Sequence, residues 1–239
     1  MTENASTRVF AVIMGLWTGI SAIPHGVAEI AQGNVPATDI LTRVGAFTII
    51  PNYLISGIVT ILLSVWIIIW CVGFLQKKHG PWVYLLSSIT LFFVGGGVAF
   101  LVFMAVTFWV STQINKPLGF WKQRIPDGAR QLMKRLWLPA LVLGYLMIGV
   151  GVMIWLFLLP PGVIHSISHL HYVCWFSLLS GIGLLLLTVV LGFARDLELR
   201  THPATLKGTG CRHPSLRHPI GYKPAAATRG LLMGFGVEI

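Results

Sequence analysis

PNYLISGIVTILLSVWIIIWCVGFL, residues 51–75, contains no Lys, Arg, Asp or Glu. A helix rises about 1.5 Å per residue, so roughly 20 such residues cross the ~30 Å of bilayer hydrocarbon. This segment therefore reads as a membrane-spanning helix rather than a strand or a buried soluble helix. Outward from it, residues 81–115, 136–164 and 173–194 are equally free of those four residue types. Residues 9–32 form a fifth apolar stretch, interrupted by His25 and Glu29. The expected architecture is an all-α integral membrane bundle of about five transmembrane helices. The spans are placed at about 9–32, 51–75, 81–112, 137–159 and 173–194, within a single domain of residues 1–200. Gly95-Gly96-Gly97 sits inside the third span and leaves open whether it is one helix or two.

Composition agrees. Of 239 residues, 55% are hydrophobic and 10% charged, against about a quarter charged in a soluble domain. Seventeen Lys and Arg face seven Asp and Glu, a formal charge of +10. A soluble enzyme, a disordered protein and a disulfide-stapled secreted domain are excluded on that balance. A secretory leader competes for residues 9–32, but Glu3 in its charged region and Ile20-Ser21-Ala22 as a cleavage site fit poorly. Cys71 and Cys174 fall in apolar spans and Cys211 outside them, with no C-x-x-C spacing, so no disulfide and no zinc knuckle is expected.

With five crossings, fourteen of the seventeen cations fall on one side and Arg8, Lys77 and Lys78 on the other. Cation-rich loops stay in the cytoplasm. The expectation is a plasma-membrane protein with its N-terminus outside and its C-terminus inside. The loop from Lys116 to Arg135 mixes Phe120, Trp121, Leu132 and Met133 with six cations. Topological anchoring is the leading reading, ahead of interfacial binding to anionic headgroups. Nothing resembles a nucleic-acid module. Residues 201–239, rich in Gly, Pro and His, read as a disordered tail. The expected partners are the lipid bilayer and other membrane subunits or further copies of the chain.

Polar residues inside hydrocarbon carry the functional information. Thr18, Ser21, His25, Glu29 and Gln32 recur at helical spacing and share one face. Asn52, Ser56, Thr60 and Ser64 follow at strict intervals of four. Two such stripes on consecutive helices should face each other or a shared cavity, because lipid would leave them unsatisfied. His25 and Glu29, one turn apart, can share a proton or a metal ion and are expected to titrate as a coupled unit. A wet, loop-holding role at the helix end is the plainer reading and weighs slightly more. His165 and His169 are one turn apart, with His171 following and His79 expected on the same outer side. They form a candidate haem or divalent-metal site, although zinc would need a fuller ligand set and a histidine-rich outer loop without bound metal weighs more.

The segment PHGVAEIAQGN at 24–34, with TIIPNYLISG at 48–57 and QKKHG at 76–80, resembles a group of small bacterial integral membrane proteins. Gly95-Gly96-Gly97 and Asn115-Lys-Pro-Leu fit the same resemblance, which implies a topology class and no activity. Pro24-His25-Gly26 followed by Glu29 is similar, more loosely, to the sporulation stage II protein M-like membrane family.

Three functions follow as expectations. One is an accessory subunit in which the seams act as interhelical glue, the reading that weighs most because Ser and Thr seams commonly do this. Another is a small proton-linked transporter using Thr18, Ser21, His25, Glu29, Asn52, Ser56 and Thr60. The alternative to both is a redox or metal-binding subunit, its haem or divalent metal held by His165 and His169. No P-loop, G-x-S-x-G or H-E-x-x-H motif favours an enzyme.

Overall fold

The computed structural model describes residues 4–37, 46–97, 100–154 and 168–201. The chain divides into two compact units, Met1–Pro203 and Ala204–Ile239. The second unit, and with it the expected tail, lies outside the described residues, as does His165. The first unit is helical, with α1 (Ala5–Ala31), α2 (Tyr53–Gly73), α3 (Gly80–Val94), α4 (Phe100–Ser111), α5 (Gly119–Arg124), α6 (Asp127–Met153) and α7 (Ser168–Thr201). Two three-residue strands, β1 (Ala46–Thr48) and β2 (Gly95–Gly97), pair antiparallel with Ala46 opposite Gly97.

Four helices are long and apolar enough to cross a membrane: α1, α2, α6 and α7. The third apolar stretch is present but is not one continuous span. It breaks at the three glycines into α3 and α4, and the two arms fold back on each other. Trp82 at the start of α3 meets Phe108 near the end of α4 edge-on, with ring centroids 5.0 Å apart. Just beyond the two outer ends, Asn115 Nδ2 donates to the Gln76 carbonyl at 2.9 Å. Both ends of the stretch therefore lie together, and Gly95–Gly97 forms the tip of a helical hairpin. Each glycine costs a helix about 1 kcal/mol relative to Ala, and Gly95 adopts φ 139°, a region open to glycine and strained for other residues.

Irregular backbone at membrane depth survives only where protein satisfies it. At the tip, Ile49 N donates to the Phe93 carbonyl at 3.0 Å, and Thr48 bridges to Val94. The segment between α1 and α2 thus supplies the partners that the broken helix has lost.

The hairpin brings several segments of the chain to one end of the bundle. Asn4, just before α1, donates from Nδ2 to the carbonyls of Gln113 and Lys116 at 2.8 and 2.9 Å. Arg200, at the end of α7, donates to Asn4 Oδ1 at 2.6 Å. The start of α1, the exit from α4 and the end of α7 share one end of the bundle.

Close helix packing holds the pairs together. A methyl on Gly26 would stand 2.9 Å from the Gly57 carbonyl, and one on Gly181 would stand 2.9 Å from the Gly144 carbonyl. Bare backbones let α1 approach α2, and α6 approach α7, where any side chain would hold them apart.

Candidate functional site

The two polar stripes meet as their spacing requires. Ser56, Thr60 and Ser64 are fully buried on α2, and Thr18 and Glu29 are buried on α1. At the hairpin tip Ser56 and Thr60 converge on one backbone atom, the Val94 carbonyl oxygen. Ser56 Oγ donates to it at 2.5 Å and Thr60 Oγ1 at 3.0 Å. Thr48 Oγ1 lies 2.7 Å from Ser56 Oγ. Val94 is the last residue of α3, and its carbonyl is among those that a helix end leaves without an intrahelical partner.

Glu29 sits beside this cluster with none of its surface exposed, and neither carboxyl oxygen has a hydrogen-bond partner among the described residues. A methyl placed on Gly95 would stand 2.8 Å from each Glu29 oxygen and 2.5 Å from Thr60 Oγ1. Three oxygens therefore crowd the face of Gly95 that has no side chain. A hydroxyl carries one proton. Those of Ser56 and Thr60 are given to Val94, and Ser56 is the hydroxyl that also interacts with the carboxyl group. An unpaired negative charge in such surroundings costs several kcal/mol. The arrangement suits a carboxyl group that holds a proton and can donate it to a neighbouring hydroxyl oxygen.

The plainer expectation, Glu29 wet at the helix end, is overturned by its complete burial. His25, one turn earlier, is half-buried, and the Glu29 oxygens take no hydrogen bond from it. The remaining seam residues divide. Thr18 Oγ1 donates to the Met14 carbonyl at 3.1 Å and accepts from Tyr84 Oη at 3.3 Å. Ser21 Oγ bonds its own helix at the Trp17 carbonyl, at 2.5 Å. Gln32 is exposed. Asn52 lines no path. It caps α2, accepting from Ile55 N at 3.1 Å, and its Nδ2 donates to Asn34 Oδ1 at 2.7 Å.

Of the histidine constellation, His165 lies outside the described residues. His169 and His171 open α7, whose other end meets the start of α1, whereas His79 caps α3 at that latter end. Helix length separates them, so His79 does not share a side with the other two. Among the described residues no group of three His, Cys, Asp or Glu is placed to hold a metal ion.

Several participants were missed by sequence reasoning. Gly95, Thr48 and the Val94 carbonyl enter through the break, which spacing rules do not locate in space. Tyr84, fully buried and facing Thr18, Ser88 and Thr107, belongs to an α3 face with no polar period to mark it.

No known protein family, curated protein or solved structure matches the chain.

Proposed function

We propose that this protein is a proton-linked membrane transporter in which Glu29 carries the proton. One observation supports the reading above the others: a fully buried carboxyl group without hydrogen-bond partners, set against the tip of a broken helix. Interrupted helices recur at ion and substrate sites in transporters because they bring loose backbone groups to membrane depth. Ionisable groups inside a membrane are expensive to keep, which favours a working role.

The proposed setting is the plasma membrane with both ends of the bundle in the cytoplasm. Under this topology sixteen of the seventeen Lys and Arg lie on the cytoplasmic side, counting those after α7 with that helix, and Arg43 alone lies outside. That asymmetry exceeds the one expected from five crossings and obeys the rule that cations remain inside.

A second reading is supported by a different observation. Ser21, Ser64, Ser180 and Thr188 each return their hydroxyl proton to a carbonyl of their own helix, as residues of a packing seam do. In that reading the chain works as an accessory subunit, alone or with further copies.

Purified protein in vesicles containing a pH dye separates the two. Proton flux driven by a potassium-valinomycin potential is expected to fall at least tenfold in Glu29→Gln, and by a smaller factor in His25→Ala. Full flux in Glu29→Gln, with an altered unfolding temperature, would transfer the case to the packing reading.

A further inference from the structure

Gly95 presents its bare face to oxygen alone. The atoms nearest to where its side chain would begin are Thr60 Oγ1 at 2.5 Å and the two oxygens of Glu29, each at 2.8 Å. Ser56 Oγ joins them, since it interacts with the carboxyl group and shares the Val94 carbonyl with Thr60. A hydroxyl that donates to a carbonyl keeps its own lone pairs. Ser56 and Thr60 can therefore coordinate a cation while Val94 holds both in place. That makes four oxygens on two helices, converging where a glycine leaves out a methyl group.

Two sources of negative charge meet at the same place. One is the carboxyl group of Glu29, which is fully buried. The other is the C-terminal end of α3, where Val94 is the last residue and the aligned peptide dipoles leave about half a negative charge. The elements joined at the tip are α1, α2, α3, β1 and β2. They carry no Lys, and their one Arg is Arg8, close to the opposite end of α1. His25, one turn before Glu29, is the nearest other ionisable residue along α1.

We infer that Glu29, Thr60 and Ser56 form a binding site for an alkali-metal cation such as Na+ at the hairpin tip. The donors decide the class of ion. Nitrogen and sulfur ligands select transition metals, whereas carboxylate and hydroxyl oxygens suit hard ions. A single carboxylate neutralises a monovalent ion and would leave a divalent one with net charge in a buried site, which is expensive. The end of an interrupted helix adds to the attraction, as it does at Na+ sites in transporters. For its purpose the inference rests on the reading that Glu29 carries a proton, because the ion then exchanges against it. The carboxyl O–H bond breaks, the proton leaves to water, Na+ takes its place, and no electrons move. The site itself rests on the oxygens.

Binding of radiolabelled Na+ to the purified protein in lipid nanodiscs tests it. Saturable binding is expected, displaced by unlabelled NaCl and not by choline chloride. It should fall at least tenfold in Glu29→Gln and in Thr60→Val. Thr60→Ser, which keeps the hydroxyl, and Thr90→Val, which removes an exposed one from α3, should both retain it. Na+ should also raise the unfolding temperature of the parent protein above its value in equal choline, and not that of Glu29→Gln. No saturable binding by the parent overturns the site, and leaves proton carriage standing where flux in Na+-free vesicles still requires Glu29. Undiminished binding in either Glu29→Gln or Thr60→Val overturns it as well. Binding lost in both, with full proton flux in Glu29→Gln, keeps the site and removes the transport reading. Should Thr60→Val fail to fold by helix content, Glu29→Gln and the Na+-specific thermal shift decide.

Discussion

Glu29 and Gly95 define each other's limits. The carboxyl group can lie against the hairpin tip only because residue 95 has no side chain, and residue 95 can hold φ 139° for the same reason. Gly95→Ala would bring its methyl against Thr60 and Glu29 in a backbone region that costs other residues about 1–3 kcal/mol. It is expected to destabilise by more than about 2 kcal/mol once the clash is added. Gly149→Ala on α6 is the counterpart: a methyl there meets nothing within 4 Å and gains up to about 1 kcal/mol of helix propensity. Thermal unfolding in detergent should therefore move down for Gly95→Ala and level or up for Gly149→Ala. A shift of the same sign and size in both would refute the account of the tip. At this scale the sequence was a fair guide to faces and a poor one to depth. Periodicity put Thr18, Glu29, Ser56 and Thr60 on facing stripes, and there they are. It could not tell buried Glu29 from exposed Gln32, because a helical wheel resolves direction around an axis and not distance from the end. Nor could it separate a cap such as Asn52 from a lining residue at the same spacing.

Among the elements, α1 begins without help from its own side chains: Asn4 makes no capping hydrogen bond from its side chain. Asp196 of α7 does the work instead. Its Oδ1 accepts from Ser6 N at 2.8 Å, and its Oδ2 accepts from Thr7 N at 2.9 Å and Thr7 Oγ1 at 2.6 Å. The first turn of a helix carries unsatisfied N–H groups and a partial positive charge, so a buried carboxylate there satisfies both. Hydrogen bonds to charged groups contribute about 1.5–3 kcal/mol. Asp196→Ala is expected to cost at least that much in denaturant unfolding, and Asp196→Asn less, since one oxygen acceptor remains. Equal stability of Asp196→Ala and the parent protein would show that water replaces the carboxylate at no cost. No rule of local sequence reveals this cap, because it is formed by a residue 190 positions away. The break in the third apolar stretch was legible as a possibility from its three glycines. Its consequence was not, since reversal depends on β1 reaching the tip from a loop with no strand-like pattern.

For the molecule as a whole, reversal of the third stretch decides which loops share a side of the membrane. Five uninterrupted crossings would place the α2–α3 turn outside and the segment after α7 inside. The hairpin brings that turn and the end of α7 to one end of the bundle: Asn115 is bonded to Gln76 beside the turn, and Arg200 is bonded to Asn4, which is bonded in turn to Lys116. The fold class was readable from hydropathy because lipid demands the same apolar length of every span. Charge counting assumes that every span crosses, and an apolar stretch of adequate length satisfies that count whether it crosses or returns. Charge then serves as a check, since moving Arg8, Lys77 and Lys78 to the inner side and Arg43 to the outer leaves the seventeen cations divided sixteen to one. Cysteine labelling of oriented membrane vesicles reads the outcome directly. Cys71 and Cys174 are buried, so reporters at exposed positions stand out against them. His79→Cys and the native Cys211 are expected to react with an impermeant maleimide from the same, cytoplasmic face, and Gln32→Cys from the opposite one. Reaction of His79→Cys from outside, and of Gln32→Cys and Cys211 only from inside, would restore the five-crossing chain and remove the hairpin on which the Glu29 site depends.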